Sequence, residues 1–195
     1  KVFCAGEDLS ELSEGGECQT VTEHGFGGIT ARLCSKPIIA ACNGSAAGGG
    51  MEIALSCDMV VAAENAKFGC TEVGLGIIAS TGGIVRLARD INRKDCMELL
   101  LTGKKIKAPE AKELGLINYV VPAEEVMDKA IELAEQVLKN APLALKWTKY
   151  LVHAADQMSE EDAMRYCDGA YRFLEKTEDG IEGPLAFTEK RTPNW

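Results

Sequence analysis

Three consecutive glycines, Gly48-Gly49-Gly50, stand between an apolar run and a helix-forming run, and this succession leaves the chain few ways to fold locally. Upstream lies Pro37-Ile38-Ile39-Ala40-Ala41-Cys42, and downstream lies Met51-Glu52-Ile53-Ala54-Leu55. The pattern predicts strand, glycine turn, helix. Without Cβ atoms the turn lets a ligand approach the backbone closely, and the first N–H groups of the new helix have no partner within it. Such a turn receives an anion or an oxyanion, and Glu52 stands in the first helical turn beside it.

The same alternation continues on both sides. Val2-Phe3-Cys4 reads as a strand that Ala5-Gly6-Glu7-Asp8-Leu9 turns into a short helix, and Ser13 to Gly16 followed by Glu17 reads as an exposed loop. A second helical stretch is expected toward Arg32-Leu33-Cys34. Asp58-Met59-Val60-Val61-Ala62-Ala63 is a further apolar run with the character of a buried strand. Strands alternating with helices imply crossover connections and a largely parallel sheet, hence an α/β layer. From Pro109 onward the chain is mostly helical, interrupted by Ile117-Asn118-Tyr119-Val120-Val121. Val126, Ala130, Leu133, Ala134 and Val137 recur at helical spacing, with Glu124, Glu125, Asp128, Lys129 and Glu132 on the other face. Helices over 144–153 and 160–174 and the 180–190 stretch then form an outer layer that packs on its own core or on a neighbouring subunit.

At 195 residues the chain has the size of one ordinary domain. Its formal net charge of −9 argues against a general affinity for nucleic acid or an anionic membrane. No apolar run reaches bilayer length and no succession resembles a signal peptide, so the expected setting is the cytoplasm or another soluble intracellular compartment. The eight cysteines, Cys4, Cys18, Cys34, Cys42, Cys57, Cys70, Cys96 and Cys167, include no C-x-x-C pair and are expected mostly as core thiols. With only His24 and His153, and no G-x-S-x-G elbow, neither a zinc site nor a Ser/His/Asp triad is expected. The chain opens at Lys1 directly in a strand, which leads us to expect a longer natural protein.

Two turns, at Ala5 to Asp8 and at Gly48 to Gly50, each follow a strand and open a helix. Side by side, they bring one backbone N–H each to a single carbonyl oxygen, the arrangement that holds an enolate; one such donor is worth about 2.7–4 kcal/mol in a transition state. A thioester carbonyl suits it. Polarising an α,β-unsaturated thioester leaves C3 electrophilic and C2 basic, so hydration needs one group to activate water and one to deliver a proton. Two carboxyls suffice, with no metal or redox cofactor, and their pKa values are pushed apart when they are close. Glu52 and Glu72 are the candidates. Against this stand plainer uses: Glu52 as a helix-dipole partner, Glu72 as a solvated loop carboxylate in Phe68-Gly69-Cys70-Thr71-Glu72, Asp58 as a turn residue, and Gly82-Gly83 as close packing or another helix start. The glycine turn lacks both the G-x-G-x-x-G spacing and the lysine of a P-loop.

These residues resemble the crotonases, also called the enoyl-CoA hydratase/isomerase superfamily. The resemblance is carried, in family order, by Phe3-Cys4-Ala5-Gly6-Glu7-Asp8-Leu9, Lys36-Pro37-Ile38-Ile39-Ala40-Ala41-Cys42-Asn43-Gly44, Gly48-Gly49-Gly50-Met51-Glu52, Cys57-Asp58, Phe68-Gly69 with Glu72, Gly82-Gly83 and the tail Glu182 to Arg191. It implies an α/β fold: a ββα-spiral core over residues 1–122, incomplete on its N-terminal side, and a helical trimerisation region over 123–195. A trimer or a dimer of trimers follows. The resemblance places oxyanion donors at the backbone N–H of Glu7 and Gly49 and catalytic carboxyls at Glu52 and Glu72. It places Ala5 and Gly48 in the CoA-ester pocket, Ala5 near the adenine, and Phe187 and Lys190 among residues that a neighbouring subunit lends to it. The implied partner is an acyl-CoA thioester, with coenzyme A part of the substrate rather than a cofactor.

Departures from the family pattern are informative. Glu7 replaces a small residue, and its side chain is expected to point away from a forming enolate. Ser10 stands where a lysine is frequent, and Ala79-Ser80 replaces Pro-Gly near the acyl pocket. Both glutamates favour an enoyl-CoA hydratase. The stretch His24 to Thr30 and the tail Glu182 to Trp195 also resemble carnitinyl-CoA dehydratases; an enoyl-CoA isomerase and a non-catalytic CoA-binding subunit are the remaining alternatives.

Overall fold

The computed structural model describes residues 1–13 and 21–195, so Cys18 and the loop expected after Ser13 lie outside the described residues. The chain forms two compact units, Lys1–Leu33 with Ile38–Ile131, and Cys34–Pro37 with Glu132–Trp195.

The first unit opens with β1 (Val2–Cys4), α1 (Leu9–Ser13) and a small hairpin of β2 (Val21–Thr22) and β3 (Gly25–Phe26). Then come β4 (Ile39–Cys42), β5 (Ser45–Ala47), α2 (Gly49–Ser56), β6 (Met59–Ala63), β7 (Lys67–Gly69), a 3-10 turn at Glu72–Leu75, α3 (Gly83–Asp90), α4 (Arg93–Thr102), β8 (Ile106–Lys107), α5 (Ala108–Glu113) and β9 (Tyr119–Val121). Each circuit of the chain sends one strand into each of two sheets. One sheet has the order β4-β6-β9 and the other β1-β5-β7-β8, with every pairing parallel except β7 with β8. This is a spiral of β-β-α units, as the resemblance implied.

Burial explains the sequence texture of these strands. β6 lies between β4 and β9 and is covered on both faces, which is why Val60-Val61-Ala62-Ala63 is continuously apolar rather than alternating. β4 alternates partly buried Ile39 and Ala41 with buried Ala40 and Cys42. Asp58 is indeed the turn residue that joins α2 to β6: Ile38 N donates to its Oδ2 at 2.6 Å while its own N donates to Ile38 O at 2.9 Å. Of the seven described cysteines, Cys42, Cys70 and Cys96 are buried core thiols, while Cys4, Cys34 and Cys57 are partly buried and Cys167 is exposed.

One expectation fails. Residues 27–31 form successive turns, and 32–34 carry no regular structure, instead of a helix running toward Cys34. Gly25, Gly27 and Gly28 hold φ of 79°, 59° and 70°, in the left-handed region that a right-handed helix cannot continue through.

The second unit takes up the C-terminal part of α6 (Val126–Leu138), followed by α7 (Pro142–Ala155), α8 (Glu160–Leu174) and α9 (Glu178–Glu189). In α6, Val126, Ala130 and Leu133 are buried, the stripe that the spacing predicted. Trp147 of α7 contacts Phe173 of α8 at 5.9 Å between ring centroids, and Leu143 N donates to Asp179 Oδ2 across to α9 at 3.0 Å. Ser159 and Thr177 cap α8 and α9 by accepting from the N–H groups of Asp162 and Gly180.

Close approach of α2 to β1 requires a missing side chain, since a Cβ on Gly50 would collide with the Cys4 carbonyl oxygen. Gly169, inside α8, faces open space within 4 Å. Gly50→Ala is therefore expected to destabilise the protein by about 1–3 kcal/mol through overpacking. Gly169→Ala is expected to stabilise it by about 0.5–1 kcal/mol through helix propensity. Urea denaturation of both variants checks the opposite signs.

Candidate active site

Gly48 makes the turn that the sequence called for. It adopts φ 56° and ψ −130°, a conformation open to glycine, while its N–H donates to Gly69 O at 3.0 Å and its carbonyl accepts from Met51 N and Glu52 N. Helix α2 thus starts at once, with Gly49 as its first residue and Glu52 in its first turn. The N-terminal turn lies against it. A Cβ on Gly6, where φ is 94°, would sit 3.2 Å from Gly49 N and 3.3 Å from Ala47 O. The two glycine turns are neighbours, as their parallel placement after β1 and β5 requires.

A cavity of about 160 Å³ opens over these turns. Ala5, Gly6, Glu7, Gly48, Gly49, Glu52 and Glu72 all line it, so six of the eight residues anticipated from the sequence meet at one place. Phe187, 86% exposed on α9, and Lys190, the exposed left-handed C-cap of that helix at φ 56°, belong to the second unit. Ser80, expected near the acyl pocket, also lines it, whereas Leu9, Val21, Phe26, Thr71, Leu75, Ile77, Ile78 and Thr81 went unanticipated. Gly49 is required here as well, because a Cβ on it would strike the Phe26 ring.

The two carboxylates occupy different surroundings. Glu52 is 4% exposed, and instead of capping its own helix it reaches the start of α3. Its Oε1 accepts from Thr81 N at 2.8 Å and from Gly83 N at 2.9 Å, and its Oε2 accepts from the Thr81 hydroxyl. The N-cap Gly82 offers α3 no side chain, so Glu52 supplies from another element the acceptor that the orphan N–H groups need. Arg86 ties the same turn down: its Nη1 donates to Thr81 O at 3.4 Å, its Nη2 to Thr30 O at 2.5 Å, and its N to Gly82 O at 2.9 Å.

Glu72 opens the 3-10 turn and is half-buried, with its Oε2 shielded from solvent and without a hydrogen-bond partner. A Cβ on Gly48 would lie 3.7 Å from its Oε1, which puts this carboxyl directly over the glycine turn. Burial pushes the Glu72 carboxyl above the ordinary glutamate range; backbone groups of Glu72 and Thr71 oppose this, and the neighbouring Glu52 reinforces it. Beside both, Cys70 is buried, and burial together with the two carboxylates drives its thiol far up, which keeps it neutral and unreactive. Chemically the cavity offers an acceptor held by three donors and a carboxyl whose pKa burial raises, above main-chain N–H groups at a helix start.

A model of the family described as enoyl-CoA hydratase/isomerase matches residues 1–195. Carnitinyl-CoA dehydratase of Proteus mirabilis (strain HI4320) is 40% identical over 201 residues, spanning 100% of this chain and 77% of that protein, and the Escherichia coli (strain K12) protein of the same description is 41% identical with the same coverage. Among solved structures, an enoyl-CoA hydratase from Mycobacterium tuberculosis H37Rv superposes with a TM-score of 0.93 at 38% identity, over 100% of this chain and 76% of that one. A carnitinyl-CoA hydratase from Mycobacterium avium gives 0.73 at 43% identity, over 98% and 76%.

The raised Glu72 makes stability depend on pH. A carboxyl whose pKa is higher in the folded protein contributes fully below its unfolded value, about 4.3, and that contribution is lost as pH rises through the folded value. Glu72→Gln is accordingly expected to be more stable than the native protein at pH 8 and to lose that advantage at pH 4. Urea midpoints at the two pH values check it, and an equal gap at both would contradict it.

Proposed function

Since the chain belongs to the enoyl-CoA hydratase/isomerase family, we propose that it is an enoyl-CoA hydratase, adding water reversibly to the double bond of a 2-enoyl-CoA thioester. The observation that carries this reading is the convergence of Glu52 and Glu72 on one cavity with the Gly48–Gly49 turn and Glu7. In the proposed reaction the thioester oxygen lies against the backbone N–H groups of Glu7 and Gly49, which stabilise the enolate as it forms. Glu52 takes a proton from water at Oε2, since Oε1 is committed to two main-chain donors. The water oxygen bonds to C3, the double-bond electrons move toward the thioester oxygen, and Glu72 gives its proton to C2. Burial that raises the Glu72 pKa above the ordinary glutamate range supports its assignment as the acid. No electrons are exchanged with a cofactor in this scheme, and coenzyme A enters as part of the substrate.

A cavity of about 160 Å³ suits the acyl end and thioester rather than a whole CoA ester. The remainder of the substrate would lie outside it, near Ala5, with Phe187 and Lys190 lent by a second copy through the helical region over 123–195 in a trimer or a dimer of trimers. A carnitinyl-CoA dehydratase is the second reading, favoured by the 40–41% identity to proteins of that description. The apolar Val21, Leu75, Ile77 and Ile78 along the cavity argue for an uncharged acyl chain, because a trimethylammonium group is better held by aromatic faces and carboxylates.

Purified protein given crotonyl-CoA is expected to bleach the enoyl absorbance, and Glu52→Gln and Glu72→Gln are each expected to slow this at least about a hundredfold. Unchanged rates in both variants would exclude the two-carboxylate mechanism. Faster turnover of crotonobetainyl-CoA than of crotonyl-CoA would select the dehydratase, and binding without turnover a silent CoA-binding subunit. In the hydration direction kcat is expected to fall as pH rises through the elevated Glu72 pKa, because the group that protonates C2 is then lost.

A further inference from the structure

A single residue grips both oxygens of Glu52. Thr81 donates its backbone N–H to Oε1 and its hydroxyl to Oε2, and it also lines the cavity. The two contacts differ in kind. Oε1 faces two main-chain N–H groups, which can only donate, so it can only accept, and no proton can be exchanged there. Oε2 is left as the one atom of Glu52 able to take or release a proton, and its bonded neighbour is a hydroxyl that can rotate and can donate and accept at once.

The Thr81 turn is itself fixed from behind. Arg86 donates to the carbonyls of Thr81 and Thr30, and Phe26 N donates to Thr30 Oγ1 at 2.8 Å, so one guanidinium links the Thr81 turn to the Phe26 side of the cavity. Gly82, at φ 120°, follows immediately, and a Cβ there would collide with the Arg86 guanidinium. The hydroxyl is therefore presented to Glu52 by a braced turn rather than by a free rotor on a mobile loop.

We propose that Thr81 is a positioning residue for proton exchange at Glu52: its hydroxyl holds the working oxygen, Oε2, at the cavity wall, where a water approaching C3 can reach it. This rests on the hydratase reading above and adds a requirement to it, namely that Glu52 works at full rate only with a hydroxyl at position 81. Threonine and serine meet that requirement; valine, of the same shape, does not. Because valine keeps the backbone N–H on Oε1 and the packing of the turn, its effect isolates the hydroxyl.

The test compares the native protein with Thr81→Val and Thr81→Ser, using crotonyl-CoA. Thr81→Val is expected to lower kcat at least about tenfold with KM changed less than about threefold, and Thr81→Ser to recover at least about a third of the native kcat. A valine variant within twofold of the native kcat, a serine variant no better than valine, or a loss confined to KM would each overturn the proposal. Infrared difference spectra supply a readout independent of turnover. The carboxylate band assigned to Glu52 with Glu52→Gln is expected to shift in Thr81→Val and to stay in place in Thr81→Ser. If the native protein fails to turn over crotonyl-CoA, the hydratase reading falls, and the infrared result alone then decides: a band that shifts with valine and not with serine sustains the hold of Thr81 on Glu52, and an unmoved band overturns it.

Discussion

Everything at the cavity depends on a carboxylate that leaves its own helix to bond the start of another. Glu52 sits in the first turn of α2, where its side chain has the option of a local dipole interaction, yet its oxygens are taken up by Thr81 N, Thr81 Oγ1 and Gly83 N. Helix α3 gains an acceptor that Gly82 cannot supply. A hydrogen bond to a charged group is worth about 1.5–3 kcal/mol, and a buried donor left unpaired costs about as much. The contact therefore anchors α3 while it fixes the orientation of the carboxylate.

Glycines make this contact geometrically possible. A Cβ on Gly83 would fall 2.7 Å from Ala79 Cβ and 3.2 Å from Glu52 Cγ, so the bare backbone lets α3 begin beside the glutamate. Gly6, Gly49 and Gly50 do the same for the other side, where β1, the N-terminal turn and Phe26 close on α2. The result is a cavity in which bare backbone meets Glu52 and both oxygens of that carboxylate are held by donors. Glu72 differs. It has a shielded oxygen without a hydrogen-bond partner, a state that costs stability.

Much of the first unit was legible because its signals are local. The apolar run at 38–42 and the helix that carries Glu52 lie where the pattern put them, as does the buried run at 59–63, and Glu52 and Glu72 do meet; the strand directly before the glycine turn, however, is β5, a three-residue element in the other sheet that the pattern did not show. The stretch toward Arg32-Leu33-Cys34 misled because its helix-compatible residues follow glycines held at positive φ, a backbone state the residue alphabet permits but does not announce. β8, two residues long and paired antiparallel to β7, is too short to carry a period at all.

By itself the sequence determined the alternation of strands and helices, the glycine turns and the pair of acidic residues, since each follows from spacing and from the presence or absence of a Cβ. Only the tertiary structure decided how the two acids differ. Thr81 and Gly83 lie 29 and 31 positions along the chain from Glu52, and nothing in their neighbourhood of sequence marks them as its partners. Hydrogen bonding and burial depend on what the folded chain brings within a few ångströms, so they gave Glu52 three donors and left Glu72 with a shielded, unpaired oxygen.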